Sequence, residues 1–175
     1  CFFLKSSPNN KKNMSDTHVL EYRILPTPRE IMNQIPLSEE AGLFVRQSRG
    51  TVRNILRGAD ARKLVIVGPC SVHDVNAVKD YAGKLKQLAD EVRDRYFIVM
   101  RLYFQKPRTT VGWTGLLDDP HLDASYNVRR GIEMCRELMR DVTNMGLPIA
   151  TELLGTTLEP QYLSDFISFG CIGAR

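Results

Sequence analysis

The stretch "KLVIVGPC", Lys63 to Cys70, decides how the rest of the chain is read. Leu64, Val65, Ile66 and Val67 are consecutive and apolar, and Gly68-Pro69 stops the run. A strand with one face in water alternates apolar and polar residues. A short unbroken apolar run closed by Gly-Pro instead suits a strand covered on both faces, as in a parallel sheet.

Working outward, Val78, Tyr81, Ala82, Leu85, Leu88, Ala89 and Val92 recur at helical spacing, so a helix is expected over about 75–93 with Asp74 placed to cap it. "YFIVMRLYF", Tyr96 to Phe104, is a second strand, followed by a long loop over 105–124. Val128, Ile132, Cys135, Leu138, Met139 and Val142 mark a second helix, with Ser125 as its candidate N-cap and Gly146 and Pro148 ending it. "PIATELL" is a third strand. Pro160 opens a short helix containing Leu163, Phe166 and Ile167 that Gly170 closes, and "CIGAR" begins a fourth strand. Upstream, a helix is expected over 40–57, stopped by Gly58. Residues 14–40, with Pro26, Pro28 and Pro36, read as an extended arm with short helices at most. The organisation expected is a segment 1–13 upstream of a start at Met14, an arm and helix over 14–57, and a β/α region over 58–175.

The order β-α-β-α-β-α-β implies a parallel sheet with right-handed crossovers. It fits a doubly wound sheet or the first half of a (β/α)8 barrel, and both place functional residues at the C-terminal strand ends. No G-x-G-x-x-G follows the first strand, which argues against dinucleotide binding. The strand ends carry Cys70; then Arg101 with Lys106 and Arg108; then Glu152; then Arg175. Arginine's planar fork suits carboxylate and phosphate, and Thr109 and Thr110 add hydroxyl donors. Arg101 interrupts an apolar strand, where an unpaired charge is costly. Lys106 reads equally well as a solvated surface charge. A small phosphorylated or carboxylated substrate is the expectation. Cys70 is open to three readings: metal ligand, nucleophile, or small buried hydrophobe. His73 and Asp74 could be ligands or loop polarity, and Glu152 could be an acid/base group or a partner of the arginines.

Charge and cysteine use narrow the class. The 24 basic and 20 acidic residues leave a net charge of only +4 with no basic arm, which argues against nucleic acid. Apolar runs fall far short of the ~18 residues of a membrane span. Four scattered cysteines without a C-x-x-C pair suit reduced thiols in a cytoplasmic protein.

Taken together, "LVIVGPCSVHD", "IVMRLYFQKPRTTVGWTGLLDDPHLD", "GLPIATELL" and "PQYLSDFISFGCIGAR" resemble the type I 3-deoxy-D-arabino-heptulosonate 7-phosphate (DAHP) synthases from about Arg57 to Arg175, and more weakly back to Met14. The sister enzymes that make 3-deoxy-manno-octulosonate phosphate carry a Lys-Ala-Asn-Arg type stretch where this chain has Lys106-Pro107-Arg108-Thr109. The resemblance implies a TIM (β/α)8 barrel, of which the N-terminal arm and about the first four β/α units are present. It implies condensation of phosphoenolpyruvate with erythrose 4-phosphate, the entry to the shikimate pathway of aromatic amino acid biosynthesis. It implies a divalent metal (manganese, iron, cobalt or zinc), feedback inhibition by an aromatic amino acid, and a homo-oligomer at full length. By the same resemblance Cys70 is a metal ligand, and Arg101 and Arg175 hold phosphoenolpyruvate. Lys106 lies between the substrates, Pro107, Arg108 and Thr109 meet the erythrose phosphate, and Glu152 is a carboxylate near phosphoenolpyruvate. The family's other metal ligands, a histidine, a glutamate and an aspartate, fall on later strands. The alternative is a catalytically inactive half-barrel.

Overall fold

A computed structural model of the chain describes residues 22–108, 111–155 and 157–173. The arm contains one short helix, α1 (Pro28–Gln34). Its N-terminus is a reciprocal cap: the Glu30 amide donates to the Thr27 hydroxyl at 3.3 Å and the Thr27 amide donates to the Glu30 carboxylate at 2.6 Å. Helix α2 (Glu39–Leu56) starts at Ser38, whose hydroxyl accepts from the Ala41 amide. It ends as expected at Gly58, where φ is +75° and the amides of Gly58 and Ala59 turn back to the carbonyls of Ile55 and Asn54.

Three β/α units and a fourth strand follow: β1 (Lys63–Val67), α3 (Val75–Glu91), β2 (Tyr96–Arg101), α4 (Val128–Asn144), β3 (Ile149–Leu153), α5 (Leu158–Leu163) and β4 (Ile167–Ile172). All three strand pairings are parallel and the sheet order is β1-β2-β3-β4. The order never reverses. A doubly wound sheet reverses at its switch point, so this is the winding of the first half of a (β/α)8 barrel.

Asp74 caps α3 as expected, accepting from the amides of Asn76 and Ala77 at 2.8 and 3.0 Å. Three expectations are corrected. The cap of α4 is Asn127, not Ser125, because Leu122, Ala124 and Tyr126 all have positive φ and hold the chain out of helix until Asn127. The fourth strand begins at Ile167, not Cys171. Leu163, Phe166 and Ile167 are helically spaced, but the helix stops at Leu163, a 3-10 turn spans Ser164–Phe166, and Gly170 lies within β4. β1 is only half-buried, since it has one strand neighbour, whereas Val99, Met100, Ile149 and Ala150 in β2 and β3 are fully buried.

The two faces of the sheet differ. The main core joins Ile98, Met100, Leu102 and Ile149 to the stripes of α3, α4 and α5, including Val78, Leu85, Leu138 and Leu163, and to Phe166 of the 3-10 turn. The other face carries Leu64, Ile66, Phe97, Val99, Ala150 and Phe169, against which Val52 of α2 packs. Arg49 fastens α2 to the start of β4, donating to the carbonyls of Ile167 and Ser164, both at 2.7 Å.

One buried charge organises the packing. Arg136 lies on the core side of α4, fully buried. It donates to the Ile35 carbonyl at 2.7 Å and the Tyr162 carbonyl at 2.6 Å, and forms a two-pronged pair with Asp165 at 2.7 and 2.6 Å. Its guanidinium lies 4.8 Å from the Phe166 ring centroid. The arm, α4 and the turn before β4 therefore meet at one side chain.

The core also holds carboxyls of the opposite kind. Glu159 is 1% exposed, and one of its oxygens has no hydrogen-bond partner. Desolvation raises its pKa, and the nearby Asp118 adds to the rise. Asp118 is itself raised by desolvation. A raised folded-state pKa means the fold retains a proton that the unfolded chain releases, so stability falls as pH climbs from the unfolded value through the folded one. Glu159→Gln keeps the acceptor for the Leu154 amide and removes the charge. Melting curves at pH 8 are expected to show the variant more stable than the native chain, with the difference shrinking toward pH 4. An equal or lower melting temperature at pH 8 would contradict this.

Candidate active site

The face that packs on α2 changes character along the strands. Phe97 and Val99 are followed by Arg101, Ala150 by Glu152, and Phe169 by Cys171, each two residues further along and so on the same face. The apolar layer at the strand starts therefore gives way to a polar layer at the C-terminal ends.

Arg101 ends β2. Its guanidinium donates to the Gly68 carbonyl at 2.7 Å. Gly68 has φ +154°, and a Cβ there would lie 2.4 Å from the Arg101 carbonyl oxygen, so glycine lets the ends of β1 and β2 close together. The Arg101 Nε is buried without a partner, a donor whose desolvation is uncompensated until an acceptor arrives.

Beyond β2 the chain doubles back. The Lys106 amide donates to the Thr114 carbonyl at 2.8 Å, and Gly115 is pressed against the Phe104 carbonyl, where a Cβ would stand 2.2 Å away. Gln105 holds Asp118, and the Trp113 indole donates to the Asp119 carbonyl at 2.7 Å. This anchoring presents Lys106 to the strand ends, where its ammonium donates to the Cys70 carbonyl at 3.1 Å and to the Cys70 sulfur at 3.2 Å. Pro107 and Arg108 are exposed at the turn. Arg108 makes no ion pair among the described residues; its guanidinium lies along Gly112. Thr109, Thr110 and Arg175 lie outside the described residues.

Cys70 is exposed, which removes the reading of it as a buried hydrophobe. The hydrogen bond from Lys106, then the Lys106 charge, lowers its thiol pKa, with Arg101 adding and Glu152 opposing. Burial pushes the Cys135 thiol well up, so it behaves as core. Glu152 is half-buried on β3, in register with Cys171 of β4. The structure thus brings Arg101, Lys106, Cys70 and Glu152 to one rim.

Cys70 fits one corner of a divalent metal site, as an accessible thiol biased toward thiolate. One donor is not a coordination sphere, and among the described residues no three His, Cys, Asp or Glu side chains are placed to hold a metal. Asp74 is engaged in capping α3.

Tyr103 is not singled out by the sequence, and Gly68 and Cys171 read there only as a strand stop and a strand start. Tyr103 reads there as one more apolar strand residue. Its signal was its position two residues after Arg101, which places both on one face.

Parallel β/α units in sequential order, with cations and a carboxylate gathered at the C-terminal strand ends, define the winding of a barrel with a charged rim. The model of the DAHP synthetase I family matches residues 34–175, and the chain belongs to that family. It is 44% identical over 165 residues to the Tyr-sensitive phospho-2-dehydro-3-deoxyheptonate aldolase of Escherichia coli, covering 94% of this chain and 46% of that protein. It is 45% identical over 160 residues to the Phe-sensitive enzyme of Escherichia coli, covering 91% of this chain and 45% of that protein. The solved phospho-2-dehydro-3-deoxyheptonate aldolase of Francisella tularensis superposes with a TM-score of 0.86 at 44% identity, over 90% of this chain and 46% of that one. The chain spans a little under half the length of these relatives.

Proposed function

We propose that this chain carries the phosphoenolpyruvate-binding rim of a DAHP synthase, which condenses phosphoenolpyruvate with erythrose 4-phosphate to give DAHP and inorganic phosphate. The observation that carries the reading is Arg101, a buried guanidinium edge without an acceptor, beside Lys106 at the C-terminal strand ends. Membership of the DAHP synthetase I family supports it.

Arg101, Lys106 and Arg175 hold the carboxylate and phosphate of phosphoenolpyruvate. Pro107, Arg108 and Thr109 meet the phosphate of the aldose, which sets the aldehyde against the vinyl carbon. Attack of that carbon on the aldehyde makes the new C–C bond and an alkoxide. Lys106, between the two substrates, delivers the proton that turns the alkoxide into a hydroxyl. Water adds to the cationic carbon that carries the phosphate and Glu152 takes one of its protons; phosphate then departs by C–O cleavage, taking the remaining hydroxyl proton, to leave the ketone. A divalent ion, when bound, supplies Lewis-acid polarisation of the aldehyde, and Cys70 is the residue here that would ligate it. The region 58–175 forms the first half of the barrel, with 14–57 as its arm.

The two Escherichia coli relatives named above are Tyr-sensitive and Phe-sensitive. Feedback inhibition by an aromatic amino acid is proposed for this protein too, together with a cytoplasmic location and a homo-oligomeric state at full length. Among the described residues no helix is long and apolar enough to cross a membrane.

The test is the aldose. Protein expressed from the complete reading frame should consume phosphoenolpyruvate with erythrose 4-phosphate and not with arabinose 5-phosphate. The reverse preference would assign the chain to the octulosonate branch.

The thiol reading has its own check. After dialysis, Cys70→Ala should have lost bound divalent metal while Cys135→Ala retains it. Stoichiometric metal in the Cys70 variant would remove Cys70 from the ligand set.

A further inference from the structure

Arg101 and Glu152 carry opposite charges on neighbouring strands and on the same face of the sheet. Arg101 is in register with Ala150, so Glu152 stands two residues further along β3. A guanidinium and a carboxylate so placed would ordinarily close into an ion pair, yet no contact within 4.0 Å joins them. Arg101 turns the other way, to the Gly68 carbonyl, and keeps its Nε without an acceptor.

Tyr103 lies in the row that Glu152 occupies. Its ring lies under the Arg101 guanidinium, with Cζ 5.2 Å from the ring centroid. Burial first, and then the neighbouring side chain of Cys171, the register partner of Glu152, raise the pKa of its hydroxyl. The Tyr103 carbonyl accepts from the Val72 amide at 2.9 Å, so the residue is fixed at its backbone. The ring thus lies against the Arg101 guanidinium, where an Arg101–Glu152 pair would form.

We propose that Tyr103 is a positioning residue, whose ring holds the Arg101 guanidinium apart from Glu152 and so keeps its fork open to the substrate anion. This rests on the reading of Arg101 as a ligand of phosphoenolpyruvate. Without the ring, Arg101 rotates onto Glu152, and an incoming anion must first displace a carboxylate. Tyr103 acts on binding through Arg101 and takes no part in proton transfer. The ring, not the hydroxyl, is the operative part.

The test is equilibrium binding of phosphoenolpyruvate to protein expressed from the complete reading frame. Tyr103→Phe keeps the ring and should bind within about twofold of native, while Tyr103→Leu should bind about tenfold more weakly, the scale of a partly desolvated cation–ring contact. Tyr103→Met, closer in volume, should match the leucine variant and guards against a folding defect in either one. The deciding arm is a double-mutant cycle: Glu152→Gln should tighten binding more in the Tyr103→Leu background than in the native one, because only there has the pair formed. Full-strength binding by both the leucine and methionine variants would overturn the proposal, as would a loss that Glu152→Gln does not relieve. Arg101→Ala separates the two layers. If it binds phosphoenolpyruvate as tightly as native, the substrate-site reading fails and the role of Tyr103 falls with it. If it binds weakly while Tyr103→Leu binds normally, the site stands and only Tyr103 is misassigned.

Discussion

Arg101→Ala is expected to lower kcat/KM for phosphoenolpyruvate by about 100- to 1000-fold, the loss of a charge-assisted contact inside a desolvated site. The reason is local. Arg101 sits where an apolar strand ends, spends one donor on the Gly68 carbonyl and leaves its buried Nε unused. An anion arriving there gains a pre-oriented acceptor site and relieves an uncompensated donor. The KM for phosphoenolpyruvate should rise more than that for erythrose 4-phosphate. Arg108→Ala, exposed at the turn of the next loop, should show the opposite preference. Native kinetics for both substrates in the Arg101 variant would remove it from the site.

The second large effect concerns stability. Arg136→Ala strips the partner from Asp165 and leaves the carbonyls of Ile35 and Tyr162 without their donor. Breaking a buried pair by removing one side costs about 3–5 kcal/mol, a drop in melting temperature on the order of 10 °C for a chain of this size. Arg130, six residues earlier on the same helix, supplies the contrast. It also contacts two carboxylates, Glu133 and Glu137, but its side chain is 40% exposed. Its replacement by alanine should cost under about 1 kcal/mol, since water already screens the pair. Equal melting temperatures for the two variants would show that Arg136 does not organise the packing.

These two arginines also mark the limit of what sequence reveals. Arg101 was legible because it breaks an apolar run at a strand's end, and chain order alone puts strand ends at one rim. The helical stripe of α4 was legible from Val128 to Val142, but Arg136 within it was not. A charge beside apolar neighbours on a helix reads as its wet edge. Only the return of Ile35 and Asp165, 101 and 29 residues away, makes it core. The start of β4 was obscured for a related reason. Phe166 and Ile167 fit a helical spacing with Leu163, but a single 3-10 turn takes Phe166 out of the helix and puts Ile167 at the head of the strand. The α4 cap was missed because three consecutive alternate residues adopt positive φ without any of them being glycine. Tyr103 was hidden by its own apolar character, since a ring beneath a guanidinium and a ring in a core are written with the same letter.

The most direct measurement is phosphate release from phosphoenolpyruvate, with and without erythrose 4-phosphate, by protein from the complete reading frame. One phosphate is expected for each DAHP formed, with release only when the aldose is present. Phosphate released at the same rate without the aldose, or none released with both substrates, would contradict it.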